Sequence, residues 1–126
     1  MPGVLDNAVF AQVPAKSTKA FSMEGQKLYS EIAGRPIKTV GDLTDALRQG
    51  VVKPNQVPLD YVVIDGKRVI SNIKSSTALI NADIPKSQWF GNNKTGVNAY
   101  DKVTFDELVR NQLNKNYNGS VDKARR

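Results

Sequence analysis

The sequence predicts an α+β fold in which N-terminal helices pack on a small, largely antiparallel sheet. Two observations carry this prediction. Capped stretches with helical periodicity lie upstream of residue 50, and a β-hairpin pattern with further capped helical stretches follows them. At 126 residues, 40% of them hydrophobic and 24% charged, the chain can bury a core of its own, so we expect one domain rather than two.

Both ends of the chain lack a regular pattern. Residues 1–20 have neither a helical nor a strand period, and Pro2 and Pro14 interrupt them. We therefore expect a linker or disordered edge over 1–20, the folded domain over 21–117 and a frayed tail over 118–126. No apolar run approaches the ~20 residues that cross a bilayer, so we expect neither a membrane-spanning segment nor a cleavable signal.

Two helices are predicted early in the chain. Ser22 can cap a helix over 22–33, which Gly34 ends. Thr39 and Asp42 have the spacing of a capping box, in which each side chain bonds to the backbone N–H of the other residue. This spacing predicts a short second helix.

A β-hairpin is predicted next. Residues 59–64 and 67–71 are rich in β-branched side chains, and Asp65-Gly66 lies between them. Both residues tolerate the positive φ angles that a two-residue hairpin turn requires.

Two more helices and a loop complete the prediction. Ser75 or Ser76 can cap a third helix, and Thr104 can cap a fourth that extends to about Asn116. Residues 86–96 are polar and rich in turn formers, so we expect a surface loop or a short strand with loops there.

The chain contains neither cysteine nor histidine. Disulfides, thiol nucleophiles, Cys/His zinc sites and imidazole bases are therefore excluded. The carboxylates show no spacing typical of Ca²⁺ or Mg²⁺ ligands, so no cofactor or metal is predicted.

An excess of positive charge favours a polyanionic partner. Eighteen Lys and Arg against twelve Asp and Glu give a net charge of +6, and most of the surplus falls within residues 51–126. Lys67 and Arg68 are adjacent on the second predicted strand and would attract phosphates if they share a face with other cations. The alternative is a solubilising surface.

The hairpin exit is the first candidate site. It brings Asn72, Lys74, Ser75 and Ser76 to the start of the third predicted helix. A cation, hydroxyl and amide donors and free backbone N–H groups suit a phosphate oxyanion. The alternative is an ordinary helix cap beside a solvated lysine.

A loop bracketed by glycine is the second candidate site. Trp89 precedes Asn92, Asn93, Lys94 and Thr95. An aromatic ring beside amides and a lysine suits the stacking of an unpaired base and the binding of its phosphate. The alternative is a tryptophan buried in the core.

Asp60 is a candidate general base. Strand alternation places it on the same face as Val62 and Ile64, where apolar neighbours would raise the pKa of its carboxyl. The alternative is exposure on an edge strand.

The absence of histidine also bears on the reaction that a catalytic anion site would support. It favours the cleavage of RNA by its own 2′-hydroxyl, because this reaction needs positioning and charge neutralisation but little acid–base help.

Ordered runs across residues 21–117 resemble a family of bacterial toxins. They include Phe21-Ser22-x-Glu24-Gly25-Gln26, Ala33-Gly34-x-Pro36-Ile37, Val57-Pro58-x-Asp60-Tyr61, Asn72-Ile73-Lys74-Ser75, Ile84-Pro85-x-Ser87-Gln88-Trp89 and Asn93-Lys94-Thr95-Gly96. The succession is similar to the C-terminal toxin region of contact-dependent growth inhibition (CdiA-type) effectors and related filamentous-haemagglutinin-like polymorphic toxins. Similar domains carry Arg where this chain has Lys74 and Lys94. Lysine keeps the positive charge but cannot bind a phosphate through two parallel hydrogen bonds, as the guanidinium group of arginine can.

The resemblance implies an interbacterial toxin. Such domains form the C-terminus of a large secreted cell-surface effector, act in the cytoplasm of the target cell and are blocked by a cognate immunity protein. They are commonly nucleases, many cleave tRNA, and some similar tRNases act only with elongation factor Tu. The expected fold is the α+β nuclease fold of barnase-like, colicin and RelE-like toxins, or alternatively a ParB/sulfiredoxin-like fold.

Together these observations predict a metal-independent ribonuclease toxin, and tRNA is its expected substrate. The predicted catalytic residues are Asp60, Lys74, Ser75, Ser76, Lys94 and Thr95. The predicted substrate-binding residues are Lys67, Arg68, Asn72, Trp89 and Asn93. The alternatives are a non-enzymatic basic binding module and a metal-dependent DNase toxin.

Overall fold

The fold alternates short strands with helices. A computed structural model describes residues 3–100 and 103–117. The helices in these ranges are α1 (Met23–Ala33), α2 (Val40–Arg48), α3 (Ile73–Asn81) and α4 (Phe105–Tyr117). The strands are β1 (Val9–Phe10), β2 (Leu59–Ile64), β3 (Lys67–Ile70), β4 (Gly91–Asn93), β5 (Asn98–Tyr100) and β6 (Val103–Thr104). The mixture of helices and small sheets agrees with the predicted α+β class.

Strands β1 to β4 form one sheet with the order β1-β3-β2-β4. Its central pair, β2 and β3, is antiparallel, whereas β1 pairs parallel with β3 and β4 pairs parallel with β2. The prediction of a largely antiparallel sheet is therefore wrong for this sheet. The reason is the crossover through α3, which returns the chain so that β4 runs in the same direction as β2. Strands β5 and β6 form a separate antiparallel pair.

Local capping and turn signals specify α1, α2 and the hairpin as predicted. The Ser22 hydroxyl accepts a hydrogen bond from the Gly25 N–H at the start of α1. Thr39 and Asp42 form the predicted capping box at the start of α2. In the hairpin turn, Asp65 has a φ of 50° and the following glycine a φ of 78°, which are the left-handed conformations that this turn requires.

The start of α3 differs from the prediction. The helix begins at Ile73 with Asn72 as its N-cap, whereas Ser75 or Ser76 was expected to cap it. The Asn72 side chain makes no capping hydrogen bond, because its carbonyl oxygen accepts from the Asp60 N–H on β2. At α4 the prediction of Thr104 as the cap is confirmed, since its hydroxyl accepts from the Glu107 N–H at 3.2 Å.

The sheet buries apolar side chains on both faces. One face packs against α1, α2 and α3 through a large cluster that includes Phe10, Leu59, Tyr61 and Ile70. The other face packs against α4 through a smaller cluster, which comprises Val9, Ala11, Val62, Ile64, Val69, Val109 and Leu113. Because both faces are covered, polar side chains at the strand ends lie at the boundaries between sheet and helices.

The N-terminal segment is part of this core. Leu5 and the residues from Ala8 to Ala11 are buried, and Val9 and Phe10 pair with Val69 and Ile70 of β3. The expected linker or disordered edge over 1–20 therefore differs from the structure for residues 3–20. Two residues are too short a strand to leave a periodic signal, and pairing with β3 is what orders them.

The predicted tail over 118–126 lies outside the described residues. Among residues 3–100 and 103–117, no helix has the length and apolar content needed to cross a membrane.

Candidate functional site

Asp60 lies near the start of β2, on the face that the alternation pattern predicts. It is half-buried and shares that face with Val62 and Ile64, which belong to the cluster under α4. The proposed alternative of an edge strand does not apply, because β3 and β4 flank β2.

The parallel register of β4 brings two polar side chains to Asp60. Asn92 is the direct partner of Asp60 in the ladder and hydrogen-bonds to its carboxylate. Lys94 follows two residues later, and its positive charge acts on the same carboxylate. Its backbone N–H donates to the Tyr61 carbonyl at 2.8 Å, and its ammonium lies 5.8 Å from the centre of the Phe105 ring. Lys94 is therefore held from both its backbone and its side chain.

Burial raises the pKa of the Asp60 carboxyl above its ordinary value. The Lys94 charge and the Asn92 hydrogen bond lower this pKa but do not cancel the effect of burial. A carboxylate whose pKa is raised is a stronger base than an exposed aspartate.

The hairpin exit holds the Asp60 backbone from the other side. The Asn72 side-chain carbonyl accepts from the Asp60 N–H, and the Ser71 hydroxyl donates to the Asp60 carbonyl at 3.1 Å. Asp60 thus lies between the segment after β3 and the segment of β4. The first of these segments carries Lys74 and the second carries Lys94. The charge of Lys94 acts on the Asp60 carboxylate, whereas Lys74 lines a groove at the hairpin exit.

A polar groove of about 340 Å³ lies at the hairpin exit. Its lining includes Lys74, which is half-buried, together with Asn72, Ser71 and Ser75. Gln12, from the segment that follows β1, closes it on another side. A cation beside hydroxyl and amide groups in such a groove is suited to an anionic ligand.

The two predicted serines have different environments. Ser75 lines the groove, and its hydroxyl lies 2.7 Å from the phenolic oxygen of Tyr29. Ser76 is fully buried, and its hydroxyl donates to the Ile73 carbonyl at 3.1 Å. The assignment of Ser76 as a catalytic residue is therefore corrected, because its hydroxyl serves the helix and has no access to a ligand.

Asn93 and Thr95 fix the turn that carries Lys94. The Thr95 hydroxyl donates to the Asn93 side-chain carbonyl at 2.6 Å and accepts from the Val63 N–H at 2.9 Å. The Thr95 N–H also donates to the Asn93 side chain, at 3.0 Å. These bonds use the Asn93 carbonyl oxygen and the Thr95 hydroxyl to hold the turn, so both residues support the position of Lys94.

Trp89 cannot stack a base in this structure. It is 1% exposed, its indole N–H donates to the Ile84 carbonyl at 2.8 Å, and its ring packs edge-on against Phe10. The predicted stacking role is corrected for this reason. The alternative reading, a buried core tryptophan, describes its environment.

Lys67 and Arg68 lie at the opposite end of the hairpin. Lys67 pairs with Ile64, four residues along β3 from the Ser71 that bonds to Asp60. At the usual rise of a strand, this separation is about 13 Å. The two residues line a different cleft, of about 260 Å³, with Asn7. The structure does not bring them to Asp60.

Sequence reasoning missed Tyr29 as a residue of the site and did not predict the contact of Asn92 with Asp60. The sequence pattern marks Asn92 only as one of the loop amides, because its position opposite Asp60 is evident only once residues 91–93 are known to form a strand beside β2. Tyr29 belongs to the apolar stripe of α1, and nothing in its local sequence marks a hydroxyl that points at another element.

Within the described ranges, no group of three or more Asp, Glu, His or Cys is arranged to hold a metal ion. No protein-family model matches the chain, and no curated protein or solved structure shows significant similarity to it.

Proposed function

We propose that this chain is a metal-independent ribonuclease that cleaves RNA through the 2′-hydroxyl adjacent to the scissile phosphate. The observation that carries the proposal is the half-buried Asp60 carboxylate, whose pKa burial raises and the charge of Lys94, two residues beyond its ladder partner Asn92, lowers in part. A base and a cation at one place are the two groups that this reaction needs most.

The reaction follows from this pair. The Asp60 carboxylate removes the proton of the 2′-hydroxyl, and the 2′-oxygen forms a bond to phosphorus. The Lys94 ammonium neutralises the charge that develops on the phosphorane oxygens. The bond to the 5′-oxygen then breaks, and that oxygen takes a proton from water or from the protonated Asp60. The products are a 2′,3′-cyclic phosphate and a 5′-hydroxyl.

The polar groove at the hairpin exit supports an extended substrate. Lys74 lines this groove, and Asn72 connects it to the Asp60 backbone. In the proposed complex, Lys74 binds a phosphate of the same strand, next to the one that is cleaved. The net charge of +6 favours the approach of such a polyanion.

We further propose that the nuclease is an interbacterial toxin that acts on tRNA and is neutralised by an immunity protein. The support is the resemblance to CdiA-type toxin regions. Two of its motifs, Asn72-Ile73-Lys74-Ser75 and Asn93-Lys94-Thr95-Gly96, lie on the two segments that flank Asp60.

The test is incubation of the purified protein with total RNA, with and without EDTA and with and without elongation factor Tu. The proposal expects fragments that resist EDTA and end in a 2′,3′-cyclic phosphate. Asp60→Asn should abolish cleavage. Asp65→Asn is the matched control, because the same chemical change then falls on the exposed hairpin turn.

Each other outcome selects a different function. Cleavage that EDTA abolishes, on RNA or DNA, indicates a metal-dependent nuclease. Intact RNA in all four reactions, with RNA retained by the protein, indicates a non-enzymatic binding module. Cleavage that survives Asp60→Asn removes Asp60 from the role of base.

A further inference from the structure

A pair of buried hydroxyls lies between α1 and α3, next to the proposed catalytic aspartate. The Tyr29 phenolic oxygen and the Ser75 hydroxyl oxygen are 2.7 Å apart, and the two residues are 7% and 6% exposed. The charge of Asp60 is close enough to contribute to the raised pKa of Tyr29, whose largest cause is burial. The pair is therefore part of the surroundings of Asp60 as well as of the core.

The direction of this hydrogen bond follows from the two environments. The pair has two hydroxyl protons, but one proton suffices for the bond between them. The Tyr29 ring is enclosed in the core and packs edge-on against Phe21 at 5.1 Å. If Tyr29 accepted the bond, its own proton would have no acceptor in this apolar interior, which is costly.

Ser75 is in the opposite situation, because it lines the groove at the hairpin exit. When Tyr29 donates, the Ser75 oxygen is the acceptor and the Ser75 proton remains available. The groove is where this proton can find a partner. Lys74 lines the same groove, so the Ser75 hydroxyl proton and the positive charge of Lys74 can bind one anionic ligand together.

We propose that Tyr29 is a positioning residue that holds the Ser75 hydroxyl as a donor to a phosphate oxygen of bound RNA. Ser75 contacts the ligand and Tyr29 acts through Ser75. The inference rests on the proposed function for the identity of the ligand, but it concerns binding rather than the chemical step.

A double-mutant cycle tests this relation. The variants are Tyr29→Phe, Ser75→Ala and the combination of both. The probe is a short, labelled, mixed-sequence 2′-O-methyl RNA oligonucleotide, which has no free 2′-hydroxyl to attack phosphorus. Its dissociation constant is measured by fluorescence anisotropy. Tyr61→Phe is the matched control, since Tyr61 is equally buried but lies on β2.

The expected result is non-additive. Each single variant should weaken binding by about tenfold, the usual value of one hydrogen bond to a charged group, and the double variant should be no weaker than Ser75→Ala. Tyr61→Phe should bind as the wild type does. A merely structural role of Tyr29 would lower the melting temperature without this dependence on Ser75.

Several results overturn the inference. They are additive losses, a loss in Ser75→Ala with none in Tyr29→Phe, and a wild-type protein that does not bind the oligonucleotide. Should Tyr29→Phe fail to fold, Ser75→Ala alone decides against the inference if its binding is unchanged. A wild type that binds with the expected cycle but leaves natural RNA intact overturns the nuclease proposal and leaves the role of Tyr29 in place.

Discussion

Lys94, the residue directly after the parallel strand β4, acts on Asp60 from two positions beyond the ladder pair of Asn92 and Asp60. The arrangement joins a carboxylate whose pKa burial has raised to a cation whose charge lowers that pKa again. The balance between these two effects sets the pH range in which Asp60 can act as a base.

Removing the Lys94 charge should move the pH dependence of cleavage. A general base must be ionised, so the rate rises as the pH increases through the pKa of Asp60. Lys94→Met deletes a charge that lowers this pKa, and the acid limb of the pH–rate profile should therefore shift to higher pH. Lys27→Met, on the exposed surface of α1, is the control and should leave the profile unchanged. An acid limb that stays in place would show that the two groups are not coupled.

Asp60→Asn should lose activity but gain stability at neutral pH. A carboxyl with a raised folded-state pKa stabilises the fold when protonated, and this contribution disappears as the pH rises from the unfolded pKa through the folded one. The asparagine variant avoids this loss, so its advantage in unfolding free energy over the wild type should grow with pH across that window. Urea denaturation at several pH values measures it. A variant that is less stable than the wild type above the window contradicts the assignment.

Lys74→Ala should abolish toxicity with little effect on folding. The side chain lines the polar groove and makes no hydrogen bond on which the described part of the fold depends. A substitution of this kind usually changes the unfolding free energy by about 0.5 kcal/mol or less. Expression without the immunity protein measures toxicity, and thermal unfolding measures stability. Full toxicity in a folded Lys74→Ala protein would remove this residue from the substrate site, and Lys27→Ala should remain toxic.

Gln112→Met should stabilise the protein. The side-chain carbonyl oxygen of Gln112 on α4 is buried without a hydrogen-bond partner. Methionine has a similar length and good helix propensity, so the variant removes an unsatisfied acceptor at a gain of about 1 kcal/mol. Gln26→Met is the informative contrast and should be destabilising, because the Gln26 amide donates to the Phe21 carbonyl at 2.9 Å. Thermal melts of both variants test the pair, and a lower melting temperature for Gln112→Met contradicts the expectation.

The parts of the fold that the sequence predicts are those with local causes. A cap such as Ser22, the box of Thr39 and Asp42, and the turn at Asp65 each specify their element within a few residues. The position of Asp60 on the same face of β2 as Val62 and Ile64 also follows from strand alternation alone. These predictions need no knowledge of which strands pair.

The remainder depends on pairing between distant segments. Strands β1 and β4 are two and three residues long, and they are defined by their parallel ladders with β3 and β2. The contact of Asn92 with Asp60 and the contact of Tyr29 with Ser75 arise from such long-range placement. No period or motif within one segment identifies the segment that packs against it, so these contacts could not be predicted from the sequence.

The burial of Val9 and Phe10 in β1 has a practical consequence for the design of shorter fragments. A recombinant protein that starts at Phe21 would strip a strand from the sheet and leave the backbone edge of β3 open to other copies of itself. It would also remove Leu5 and Phe10 from beneath the helices and leave a void there. Such a fragment should precipitate or fail to accumulate. Its lack of toxicity in an assay would therefore not test the catalytic role of Asp60.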